Sequence, residues 1–272
     1  VATKKEIQKR RVQAQRQAEV ARAHRDRRRR LVIGGVAGTL AIAMVASLGI
    51  GFLAAGNGQP EPDDLDVELT DAPLPVELVP PEPGQTMTGD TPCPATDGTQ
   101  MRTTVFETAP PTCIESTTAY DVSLTTSQGE IVVAIDTTDL TAANLFVTNS
   151  WYGVYNDVPF WLVVEDGLAI TGDAGTGNPG FTVPAVSPTR PYAAGDVIMW
   201  ADENGGIGSQ FAFVASDLVA DTLALDPAHP IVGSVASGSD VVASIITEAG
   251  APGGIQPVAD IRITAVSVTE TG

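Results

Sequence analysis

A run of twenty-five residues without a single charge, 31–55 (LVIGGVAGTLAIAMVASLGIGFLAA), constrains this chain more than any other feature. It also contains no Asn, Gln or Pro. At about 1.5 Å of rise per residue, a helix of that length crosses a hydrocarbon core of about 30 Å with room for some tilt. A cleaved signal peptide carries a shorter apolar region, about 7–15 residues, and does not sit behind a 30-residue arm. Leu53-Ala54-Ala55 has the look of a cleavage site and keeps that competing reading open. Residues 31–55 are therefore predicted to form a transmembrane helix.

Charge on either side of the run sets its direction. Residues 1–30 hold 12 of the 15 Lys and Arg against three acids, a balance of +9, and end in Arg27–Arg30. After Arg30 there are only Arg102, Arg190 and Arg262, against 30 acids. The overall −18 thus hides a basic arm and a strongly acidic remainder. The positive-inside rule puts the arm in the cytoplasm and everything after residue 55 outside the cell membrane, a single-pass topology. Membrane lipid is one partner, since each basic side chain near an anionic surface contributes about 1 kcal/mol. The acidic remainder cannot neutralise phosphates, which excludes a nucleic-acid-binding domain there. With 43% hydrophobic residues the chain can build a core, which excludes disorder over most of its length. Gly34 and Gly38 within the span have the G-x-x-x-G spacing of close helix approach; a plain anchor is the other reading.

Residues 56–92 carry eight prolines and nine acids but no base. Such a chain resists helix and sheet and favours extended, polyproline-like conformations. It reads as a linker, either a solvated stalk or a strip laid on a partner. The acids between Asp63 and Glu68 lack the spacing of a calcium loop.

Cys93 and Cys113 are the only cysteines, and in an exported domain a disulfide is their default state. Closing a loop of that size contributes about 3 kcal/mol in the chain-entropy model. Two histidines, His24 and His229, cannot assemble a zinc set without carboxylates, so no metal or other cofactor is expected.

Beyond the cysteines the pattern turns to β-structure. Residues 120–126 (YDVSLTT) alternate, and 130–136 (EIVVAID) follow across the turn Ser127-Gln128-Gly129, a hairpin signal. Residues 141–152 suggest a helix capped by Thr141, and 241–247 (VVASIIT) a second. Strands are expected at 196–201, 210–215, 231–235 and 261–268. Many short strands with one or two helices suggest a closed barrel or a sandwich.

Several segments then carry a resemblance. GSQFAF (208–213) followed by LDPAHPIVGSV (225–235) is similar to the cyclophilin family of peptidyl-prolyl isomerases. YNDVPF (155–160), GDAGTGNPGF (172–181), GDVIMW (195–200), SDVVASI (239–245) and IRITAVSVTE (261–270) fall in family order. The likeness spans 118–272, and 93–117 resembles the extension that precedes the domain in exported actinobacterial members. It implies a mainly β fold, an eight-stranded antiparallel barrel with two helices.

What the resemblance implies for the site is a pocket without its cation. An active member lowers the amide barrier of about 18–20 kcal/mol with an Arg beside an apolar proline pocket. That Arg belongs two residues after Phe160, where this chain reads Trp161-Leu162. By the same carry-over the family Gln falls at Thr171, across an insertion near 165–167. The second pocket Phe becomes Ala212, and the backbone-contacting Ala and Asn become Trp200 and Ala201. Phe160, Gln210, Phe211, Leu225 and His229 remain as remnants of the proline groove, which would take a proline-containing peptide.

Other chemistries have weaker support. Gly175, Gly177 and Gly180 match G-x-G-x-x-G, but Pro179 stands where a phosphate-binding helix would start. His229 lacks a G-x-S-x-G partner. Two functions remain. One is a catalytically weak or inactive accessory or assembly subunit of an envelope membrane-protein complex. The actinobacterial resemblance makes a respiratory supercomplex one candidate. The other is a working isomerase for exported proteins.

Overall fold

Alternation of apolar and polar side chains builds the first hairpin of the domain. In β3 (Ala119–Thr126) Tyr120, Val122, Leu124 and Thr126 are buried, and β4 (Gly129–Ile135) buries Ile131 and Val133. Thr126 pairs with Gly129, so the turn is only Ser127-Gln128, and Gly129 takes the positive φ of +137° that closes it. The computed structural model describes residues 73–165, 167–216, 228–251 and 255–271. The expected cytoplasmic arm, the transmembrane segment 31–55 and Leu225 lie outside the described residues. Among those described, no helix is long and apolar enough to cross a membrane.

The remaining strands extend the hairpin into one antiparallel sheet. They are β5 (Val158–Pro159), β6 (Leu162–Val164), β7 (Leu168–Thr171), β8 (Val183–Pro184), β9 (Asp196–Ala201), β10 (Gly206–Val214), β11 (Ile231–Ser237) and β12 (Arg262–Thr271). Their order is β5-β12-β3-β4-β11-β9-β10-β7-β6, with β8 attached to β10. The first and last members of that order are neighbours in the chain, separated only by Phe160-Trp161. Phe160 N–H donates to the Ile261 carbonyl on one side, and Trp161 N–H to the Ile170 carbonyl on the other. The sheet therefore curls until both its ends fall on the single stretch 158–164. The resemblance implied eight strands and the sheet counts ten, because that stretch is divided in two and the two-residue β8 is added.

Two helices are described. α1 (Leu140–Trp151) is capped by Asp139, whose carboxylate accepts from Ala142 N–H; Thr141, the cap expected from the sequence, lies inside the first turn. The acid one residue before the helix reaches a free amide that Thr141, already helical, cannot cap. α1 is buried through most of its length, and its polar side chains serve as ties. Asn144 accepts from Cys113 N–H and donates to the Pro111 carbonyl, fixing the extension closed by the Cys93–Cys113 disulfide (Cα–Cα 5.5 Å). α2 (Ser239–Ala249) buries Val242, Ile245, Ile246 and Ala249, one face at helical spacing.

The linker expected to end at Pro92 is tied to the domain from Val76 onward. Val76 N–H donates to the Pro257 carbonyl, and the guanidinium of Arg262 reaches the Val79 carbonyl. Arg102 bonds the carbonyls of Glu82, Gly153 and Asn156. β1 (Gln85–Met87) pairs in parallel with β2 (Thr103–Phe106), and Tyr152 Oη donates to the Pro92 carbonyl at 2.6 Å. Residues 76–92 form a strap along the domain.

Candidate functional site

Strand register decides which side chains can meet a ligand. Leu162 pairs with Ile170, Ile170 with Ala212, Ala212 with Ile198, and Ile198 with Ile231. These five form a row across β6, β7, β10, β9 and β11 on one face of the sheet. Their neighbours Val163, Ala169, Phe211 and Met199 point the other way, into the main core. The row belongs to a separate apolar cluster with Leu168, Val214 and Tyr192, edged by the half-buried Trp161, Val164 and Trp200.

That geometry sorts the residues read from the sequence into two groups. Phe160 and Phe211 do not line the outer face. Both are fully buried inside, Phe160 beside Phe213 at 6.1 Å and Phe211 edge-on to Phe146 and Tyr155, each at 4.9 Å. Thr171 also faces inward, opposite Phe211, and its hydroxyl donates to the Pro159 carbonyl at 2.9 Å. The outward residue beside Leu162 is Ile170, one position earlier. Glu165 and Gly167 belong to the turn between β6 and β7, which pair through Val164 and Leu168. The stretch read from the sequence as an insertion is this turn, and β7 is buried on both faces, so its hydropathy does not show which residues point out.

Leu162, Ala212, Trp200, Gln210 and His229 are brought together on the outer side. The Trp200 and His229 rings stack at 4.3 Å with an interplanar angle of 13°. His229 Nδ1 accepts from Ala201 N–H at 3.1 Å, which fixes the neutral ring with its proton on Nε2. Burial pushes the His229 pKa down to about 4. Gln210 donates to the Gly177 carbonyl, and with Trp200, Asn178, Thr182 and Asp202 it lines an open cleft of about 260 Å³. The Trp161 indole N–H is buried and has no hydrogen-bond partner.

Tyr192 was not picked out from the sequence. It is the one buried residue between Phe181 and Asp196. Its hydroxyl donates to the His229 carbonyl at 2.9 Å and accepts from His229 N–H at 3.1 Å. Burial raises its phenol pKa, so the hydroxyl stays a neutral donor. The available signal was a lone aromatic in the proline-rich loop SPTRPYAAG (187–195).

The outer face is thus closed. None of Leu168, Ile170, Ile198, Ala212, Val214 and Ile231 exposes more than 7% of its surface. The three arginines of the domain are engaged elsewhere: Arg102 with the strap, Arg262 with Asp157 and Asp260, and Arg190 with Asp196. No cluster of three metal-ligating side chains occurs among the described residues.

A curled antiparallel sheet with two helices is the architecture of one class of peptidyl-prolyl isomerase domain. The family model of cyclophilin type peptidyl-prolyl cis-trans isomerases matches residues 121–268, more than half of the chain, and the chain belongs to that family. Two solved structures of a Cryptosporidium parvum cyclophilin type peptidyl-prolyl cis-trans isomerase are similar to it. One is 18% identical with a TM-score of 0.49, covering 57% of this chain and 99% of that one. The other, determined in the presence of the dipeptide Ala-Pro, is 20% identical with a TM-score of 0.48, covering 56% and 99%. No curated protein matches this sequence.

Proposed function

We propose that this chain is a membrane-anchored, extracytoplasmic cyclophilin-like protein that binds rather than catalyses, as an accessory or assembly subunit of an envelope membrane-protein complex. One observation carries the catalytic half of this reading. The position that should hold the arginine is Leu162, half-buried at the edge of an apolar row, and every arginine of the domain is committed to another partner. An amide barrier of about 18–20 kcal/mol falls when a charge-assisted hydrogen bond is aimed at the twisting prolyl amide. Such preorganised electrostatics is usually the largest catalytic contribution, and Leu162 offers none of it. The uncharged run 31–55 behind a basic arm supports the anchor. The Gly-rich span and the acidic surplus outside suit a protein that assembles with membrane partners, of which a respiratory supercomplex remains one candidate.

A protease-coupled assay of X-Pro isomerisation tests the first half. Rates at the uncatalysed background are expected, and ordinary cyclophilin rates would return the chain to the role of a folding catalyst. Extraction of the full chain in mild detergent, affinity purification and mass spectrometry test the second. A stoichiometric set of membrane proteins is expected; recovery as a lone monomer contradicts it.

A further inference from the structure

The loop 185–195 is built to hold one side chain in place. Its ends are tied by Ala185 N–H to the Gly205 carbonyl and Gly195 N–H to the Val214 carbonyl. Its middle is latched by Arg190, whose two terminal nitrogens lie 2.7 and 2.8 Å from the carboxylate of Asp196. Asp196 is itself buried and also accepts from Ala193 N–H. Between the latch and that contact sits Tyr192, following Pro191, whose ring restricts the backbone ahead of it. The rest of the loop is exposed or half-buried, so the loop buries little for its own sake. What it delivers to the sheet is one phenol.

Tyr192 lands where the sheet has lost an aromatic. Ala212 stands at the position of a pocket phenylalanine, and Ala212 and Tyr192 belong to the same buried cluster. The ring that β10 lacks at Ala212 has a counterpart in the ring that the loop brings to the same cluster. The phenol hydroxyl then bridges both backbone groups of His229, a residue of the expected groove rim.

We propose that Tyr192 is a built-in plug. It occupies from within the apolar site on the outer sheet face that a proline side chain would otherwise enter, and the Arg190–Asp196 pair keeps it seated. The groove is self-occluded as well as lacking its cation. This inference rests on the reading of that face as the family's groove, but it concerns occupancy, whereas the proposed function concerns turnover.

The test is binding of a fluorescein-labelled Ala-Pro tetrapeptide to the full chain in detergent, read by fluorescence anisotropy. The His229 ring resonances are followed alongside, as the only histidine signal outside the N-terminal arm. The unaltered chain is expected to bind weakly or not at all. Tyr192→Ala should bind at least about tenfold more tightly, shifting the His229 signals, with isomerisation still at background. Tyr192→Phe keeps the ring and should stay closed. Arg190→Ala releases the latch while leaving the core untouched, and should show a smaller gain in affinity; it carries the test if Tyr192→Ala fails to fold. Equal affinity of the unaltered chain and Tyr192→Ala would overturn the plug, as would folded variants that gain no binding. Turnover by the unaltered chain would overturn the proposed function; absent turnover with no gain in binding would overturn only the plug.

Discussion

The two faces of the sheet at β6, β7, β10, β9 and β11 are buried to a similar degree by different means. The inner face is filled by rings in mutual edge and tilted contact, Phe146, Tyr155, Phe160, Phe211 and Phe213. The outer face has an aliphatic floor, Ile170, Ala212, Ile198 and Ile231, roofed by Tyr192 and bordered by the Trp200–His229 stack. The inner face excludes water because the sheet curls around it. The outer one does so because a loop and two aromatic rings lie over it. A sheet face that could receive a peptide has become a second, thinner core, secured by one ion pair and a few hydrogen bonds.

The sharpest way to separate the faces is to damage each. Phe211→Ala removes a ring wholly enclosed by other rings and should cost about 3–5 kcal/mol in denaturant unfolding. A loss below about 1 kcal/mol would mean that the inner face is not the principal core. Acid probes the outer face next. His229 is neutral when folded, with its pKa pushed down to about 4. The unfolded chain takes up its proton near the ordinary histidine value of about 6.5, so stability is complete above that pH. It should decline as pH falls from about 6.5 towards 4 and then level off, a loss of about 3 kcal/mol attributable to this residue. An NMR titration of His229 with a midpoint near 6.5 would show that the ring is not enclosed. Ala212→Phe restores the lost aromatic: into an open groove it should be neutral, but under Tyr192 it should cost about 1–3 kcal/mol by overpacking. Leu162→Arg has the smallest expected effect. The half-buried edge position should accept it at a cost under about 1 kcal/mol, with isomerisation unchanged, because Ile170, Ala212 and Tyr192 still define a closed face. Recovered turnover in that variant would show that only the cation was missing.

Much of this was legible from residue order. The hairpin of β3 and β4, the six residues of β9, the two helices and the Cys93–Cys113 bond follow from alternation, turn residues and cysteine spacing. The family was legible from motif order. Facing was not: where both sides of a strand are buried, as in Leu168–Thr171, hydropathy loses its period of two. The resemblance alone puts Thr171 at the glutamine position and Phe160 and Phe211 in the groove; in the fold all three face the inner core, and Ile170 is the outward residue beside Leu162. Tyr192 escaped because its partner His229 lies 37 residues away and meets it only in the folded chain. The strap at 76–92 escaped because its bonds run mostly from its own backbone to groups far along the chain, which no local side-chain pattern records.

The strap has a consequence for reach. A leash of residues 56–92, fully extended at about 3.5 Å per residue, could carry the barrel about 130 Å from its proposed anchor. Secured from Val76 onward, the strap removes residues 76–92, about 60 Å of full extension, from that reach. Nearly halving the radius shrinks the volume open to the domain by roughly sixfold, and would raise its local concentration near a neighbour of the proposed anchor by the same factor. If the proposed anchor holds, Arg102 and Arg262, two of the domain's three arginines, help set how far the domain reaches from it.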